Sequence, residues 1–144
     1  MNEFKNKLRS PQLRFPHAMQ FLLLVYENHE LLAQVSDEEK RRVSDACNTW
    51  FEKLKNTGQA ISLSRLQSVS TAATVRPKPS GAFVVTDGPF AETKELFAGY
   101  VLVECRDRDE AIDLAKTFPV AKITTVEVRP VMTLDQDAER WRRV

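Results

Sequence analysis

The apolar positions of this chain fall into two periods, and the order of those periods predicts its elements. The run 19-MQFLLLVY-26 is continuously apolar and of strand length, which predicts a strand buried on both faces. Behind it, 36-SDEE-39 has the spacing of a capping box, with the Ser36 hydroxyl placed to accept from the Glu39 N–H while Glu39 reaches back. Val43, Cys47, Trp50, Phe51 and Leu54 then recur at helical spacing, so this helix presents one apolar stripe and stops near Gly58. Alternation returns in 60-AISLSRL-66. The runs 71-TAATVR-76 and 82-AFVVTD-87 flank 77-PKPSG-81 as a hairpin. A further strand is predicted at 98-AGYVLVEC-105. Asp107 and Glu110 open a second helix with Ala111, Leu114, Ala115 and Phe118 on one face, and Pro119 ends it. The last strand is 123-ITTVEVRPVM-132. The tail 135-DQDAERWRRV-144, acidic at its start and basic at its end, suits a short helix pinned by Trp141. The segment 27-ENHELL-32 reads as a loop.

The order is β-α-β-β-β-β-α-β. With the hairpin set aside as an insertion, this is βαβ-βαβ, an α+β fold of ferredoxin-like topology. Two helices cover one face of an antiparallel sheet. The other face is apolar too: Val101, Val103 and Cys105 point one way, and Ala98, Tyr100 and Leu102 the other. A second subunit closing sheet against sheet is the simplest cover, so the pattern predicts a homodimer with a dimeric α/β barrel-type assembly.

Composition narrows the function classes. The 144 residues are 42% hydrophobic and 28% charged, enough for one domain with a real core. The net charge of +1 offers no global field for nucleic acid or membrane. No apolar run approaches the ~20 residues that cross a bilayer, and no signal-peptide core precedes the first strand; a cytoplasmic protein is expected. Cys47 and Cys105 lie in apolar patterns without metal-ligand spacing and read as buried free thiols. Residues 1–18 form a basic, proline-broken extension, read as disordered or loosely docked; 19–134 form the domain, and 135–144 the tail. The four glycines form no phosphate-cradling loop. His29 with Glu27 and Glu30 lacks the periodicity of a metal site, so no metal or other cofactor is expected.

The stretch 84-VVTDGPFAETKELFAGYVLV-103 carries the most specific signal. Asp87 at the start of a turn would ordinarily accept the N–H two residues on, but that residue is Pro89. Its carboxylate is left to Phe90, Ala91 or a pocket, and 89-PFAETKE-95 is expected to begin as a helical turn over it. Two readings of Asp87 stay open here: a structural cap, or a catalytic acid/base if it faces a cavity.

VTDGPFAETKE followed by GYVLVE, a helix and VEVRPV at 126–131 resembles the YCII-related family in its DGPF subgroup, over about Met19 to Met132. The resemblance implies a ferredoxin-like fold that dimerises, in a bacterial, cytoplasmic and mostly uncharacterised family. Relatives in the wider family carry a His–Asp pair proposed as an active site, and one branch is a dehydrochlorinase acting on a chlorinated aromatic-degradation intermediate. The corresponding positions here are near Cys47 and Asn56, which do not supply that chemistry. Two further departures are Ala98-Gly99 where the subgroup reads Gly-Gly, and Phe118-Pro119 where it often has His-Pro. Subgroup members are often encoded beside alternative sigma factors, which implies a regulatory or accessory role. Family members tend to begin at the position of Met19, so residues 1–18 point to an upstream start.

Thr125, Glu127 and Arg129 share one face of the last strand, and Val126 and Val128 the other. Glu127 and Arg129 can form an ion-pair network at the dimer interface. Alternatively, with Tyr26, Tyr100 and Asp87 they can build a ligand site in which Arg129 grips a carboxylate. Two functions follow. The first is a dimeric, non-catalytic small-ligand-binding or regulatory module. The second is a small cofactor-independent enzyme, lyase- or isomerase-like, acting on a small organic acid or aromatic-degradation intermediate. In the enzyme Asp87 is the acid/base, Arg129 the anion anchor, and Tyr26 or Tyr100 the donor or wall.

Overall fold

A computed structural model describes residues 17–142; the basic extension, apart from His17 and Ala18, lies outside the described residues. β1 (Met19–Asn28) leads through a single turn, α1 (His29–Leu32), into α2 (Asp37–Asn56) and β2 (Ala60–Arg65). β3 (Ala73–Pro77) and β4 (Phe83–Asp87) form a separate two-stranded sheet. β5 (Glu95–Cys105), α3 (Arg108–Thr117), a 3-10 turn at Pro119–Lys122, β6 (Thr125–Pro130) and α4 (Leu134–Arg142) complete the chain. The main sheet is wholly antiparallel, in the order β2-β5-β1-β6. The architecture is therefore α+β.

Both long helices begin where side chains satisfy their first N–H groups. Ser36 Oγ accepts from Glu39 N at 3.1 Å, and Asp107 Oδ1 accepts from Glu110 N at 2.8 Å. In α3 the box closes one residue early, because Glu110 accepts from the Arg106 N–H at 2.6 Å. In α2 the expected return bond gives way to an ion pair, Glu39 with Arg42 at 2.8 Å. α2 ends at Asn56, and Gly58 follows at φ +77°, the left-handed conformation glycine takes without steric cost.

The helices lie on one face of the sheet. Phe21, Leu23 and Val25 of β1 pack with Val101, Val103 and Cys105 of β5 against Cys47, Ala111, Ala115 and Phe118. Val126 and Val128 join them from β6, so the two-residue alternation of the last strand reads correctly. Trp50 closes the far side, its ring 4.7 Å from Phe118 and its Nε1–H donated to Thr117 Oγ1 at 3.0 Å. Both cysteines are buried and free.

Four further local expectations fail. Residues 27–32 are not a loop: Asn28 Oδ1 accepts from the N–H groups of Glu30 and Leu31 and caps α1. Residues 89–94 form bends and irregular backbone rather than a helical turn, and the Phe90 carbonyl accepts from Arg76 of β3 at 2.8 Å. β5 begins at Glu95, three residues early, since β1 extends to Asn28 and pairs it. The tail is helical as expected, but Trp141 does not pin it. That ring is exposed, with the Arg140 guanidinium 5.5 Å from its centroid.

Candidate functional site

The sheet has a second face, and the register decides what lies on it. Leu24 of β1 sits between Tyr100 of β5 and Glu127 of β6, and Leu22 sits between Leu102 and Arg129. Side chains opposite one another share a face, so this surface mixes leucines with Tyr26, Tyr100, Glu127 and Arg129. Neither long helix reaches it, and α4 is exposed along its whole length. Glu104, opposite Gln20, is buried at the end of this face. The apolar alternation of 98–105 gave no hint that a buried carboxylate would stand there.

Three of the sequence-predicted residues meet. Arg129 Nε lies 3.4 Å from Glu127 Oε1 in an ion pair exposed to solvent. Tyr26 stands beside it, with its ring 5.6 Å from Phe97. Partial burial, then the charge and hydrogen bonding of Glu127, push the Tyr26 phenol above its ordinary value, and the Arg129 charge offsets part of this. The phenol is thus held protonated as a donor.

The other two predicted residues stand apart. Tyr100 is separated from Glu127 by β1, about 10 Å across two strand spacings. Asp87 ends β4 on the small sheet, paired across from Ala73 and exposed. It lines neither of the two cavities nearest these residues. Its motif is gripped through the backbone instead. Gly88 N–H donates to Ala72 O at 2.7 Å, Thr74 Oγ1 to Gly88 O at 2.8 Å, and Arg76 to Phe90 O at 2.8 Å. Gly88 takes φ +98° to turn its carbonyl toward Thr74. The Phe90 ring is 77% exposed, so the motif presents an aromatic outward rather than anchoring one inward.

Two cavities lie on either side of the sheet. One of about 670 Å³ lies beside the turn, walled by Tyr26, Leu66, Phe90, Leu96 and Phe97. The other, of about 320 Å³, lies on the opposite side of the sheet, between α2 and the ends of β2 and β5. Cys47, Val101 and Phe118 form its floor. Arg65 stands at its rim, donating to Ser44 Oγ at 3.0 Å and Asn48 Oδ1 at 3.3 Å. Burial raises the Cys47 thiol, which opposes nucleophilic use; a Val120 backbone hydrogen bond and the Arg65 charge offset part of the rise. Sequence reasoning missed this cavity. Its only trace was Arg65 closing an otherwise apolar and hydroxylic strand. Among the described residues, no group of three or more His, Cys, Asp and Glu is placed to hold a metal ion.

Residues 19–135 match the profile of the YCII-related domain. The chain belongs to the YCII-related family. An uncharacterized protein of Rhizobium meliloti (strain 1021) is 36% identical over 115 residues, covering 78% of this chain and 92% of that protein. The YCII-related domain thus includes the main sheet, both long helices and the 73–87 hairpin, and its match begins at the first residue of β1. No helix among the described residues is long and apolar enough to cross a membrane.

Proposed function

We propose that this YCII-related chain, read as a DGPF-subgroup member, is a cytoplasmic homodimeric, non-catalytic module that binds a small ligand or serves a regulatory role. Its core is ferredoxin-like, and two sheets close face to face in a barrel-type assembly. The observation that carries the reading is the second sheet face. The half-buried Leu22 and Leu102 lie there around the buried Leu24, beside the Tyr26, Glu127 and Arg129 cluster, on a side that no described helix packs against. An apolar surface of this kind finds its cover in another molecule, and self-complementary closure about a two-fold axis is the commonest solution. The ligand sits where the faces meet, with Arg129 as its anion anchor, Tyr26 as a donor, and Glu127 and Tyr100 as flanking contacts. The exposed position of Asp87, and Cys47 and Asn56 near the positions of the dyad that the family resemblance implies, favour binding over catalysis.

Light scattering at micromolar concentration tests the assembly. A dimer of the 16.5 kDa chain is expected. Leu102→Glu should give a folded monomer, because a carboxylate on each facing sheet would be buried unpaired. A wild-type monomer defeats the reading. The enzyme alternative is tested separately: turnover of a small organic acid that Asp87→Asn abolishes would replace it.

A further inference from the structure

We propose that the cavity between α2 and the sheet is a binding site for a small organic monocarboxylate, separate from the second sheet face. Its floor and walls are apolar: Val25, Cys47, Leu63, Val101 and Phe118 leave a space of about 320 Å³, at the small end of ligand pockets. Its charged groups are Arg65, Lys40 and Glu27. Two cations against one acid leave one positive charge, which matches a monoanion and disfavours a dianion.

The guanidinium is held in place before any ligand arrives. One terminal nitrogen donates to Ser44 and the other to Asn48, both neutral acceptors on α2. Among the described residues, Arg65 has no carboxylate partner. A guanidinium carries five N–H donors, so Nε–H and one N–H on each terminal nitrogen remain. These suit a two-point grip on a carboxylate, with orientation already fixed by α2. Lys40 reaches Asp37 only across 3.8 Å at the surface and adds positive charge at the mouth. The absence of a side chain at Gly99, where β2 crowds β5, leaves Arg65 directly over the opening. A body of aryl or short branched alkyl type fills the apolar floor while its carboxylate stays at the rim.

The test is a titration of isotope-labelled protein with phenylacetate and hexanoate, each against its neutral amide, followed by amide shifts. Saturable shifts centred on Arg65, Gly99 and Val101 are expected for the acids, with the amides roughly tenfold weaker or more. Arg65→Gln should weaken the acids about tenfold while leaving the amides unchanged. Val43→Phe, which plugs the cavity from α2, should abolish both. Equal binding of acid and amide, shifts centred on Tyr26 and Arg129 instead, or no saturation by about 10 mM of any probe would each overturn the proposal. The dimer reading is untouched by these outcomes, since its readout is mass.

Discussion

Gly99 fixes the distance between β2 and β5, and replacing it with alanine tests that distance directly. A Cβ built there stands 2.5 Å from the Ser64 carbonyl oxygen, 3.2 Å from Arg65 Cα and 3.4 Å from the Ser64 carbonyl carbon. Ordinary contact needs about 3.5 Å, so β2 must retreat by roughly 1 Å. All three obstacles are backbone, and no rotamer change relieves them. Among the described residues β2 is an edge strand whose ladder runs to β5 alone, and the Leu66 N–H to Ala98 O bond of 2.8 Å lies at the point of strain. Overpacking costs about 1–3 kcal/mol, and a weakened backbone bond about 1 more. We therefore expect Gly99→Ala to lose about 2–4 kcal/mol and roughly 6–12 °C in Tm. Urea and thermal unfolding, followed by circular dichroism at one protein concentration, measure both. A Tm within about 2 °C of the parent would show that β2 does not approach β5 this closely.

Two further outcomes follow from named groups. Cys105 is fully buried, and burial, reinforced by the charge of Glu110, pushes its thiol up to about 11. The folded chain holds that proton more tightly than the unfolded chain. Its contribution is complete below about pH 9 and is lost as pH rises through about 11, a change of about 2–3 kcal/mol. Stability curves of the parent and Cys105→Ala should converge over this window; parallel curves would contradict the assignment. At the turn, Thr74→Val combined with Arg76→Ala releases the Gly88 and Phe90 carbonyls. Tryptic cleavage after Lys94 should then rise by roughly tenfold with little change in Tm, because the bonds lost hold only a local segment. Unchanged cleavage would mean that β3 does not secure the turn.

The sequence by itself determined the elements whose periodicity is long and whose ends carry their own chemistry. Ser36 and Asp107 cap their helices as read. Val126 and Val128 face the core while Glu127 and Arg129 face away. The string DGPFAETKE pointed to the right family. Local spacing suffices there because each signal and its partner lie within a few residues. The turn went the other way. Asp87 and Pro89 predicted a capped helical turn, yet Thr74 and Arg76, fourteen residues upstream of their partners, claim the carbonyls of Gly88 and Phe90. A hydrogen bond between strands depends on register, and register is not written in either strand alone. The same limit hid the cavity beneath α2. Arg65 meets Ser44 and Asn48 only because β2 returns beside β5 at the height set by Gly99. Tertiary structure also separated the predicted site: pairing across β1 brought Tyr26 to Glu127 and Arg129, and left Asp87 on a sheet of its own.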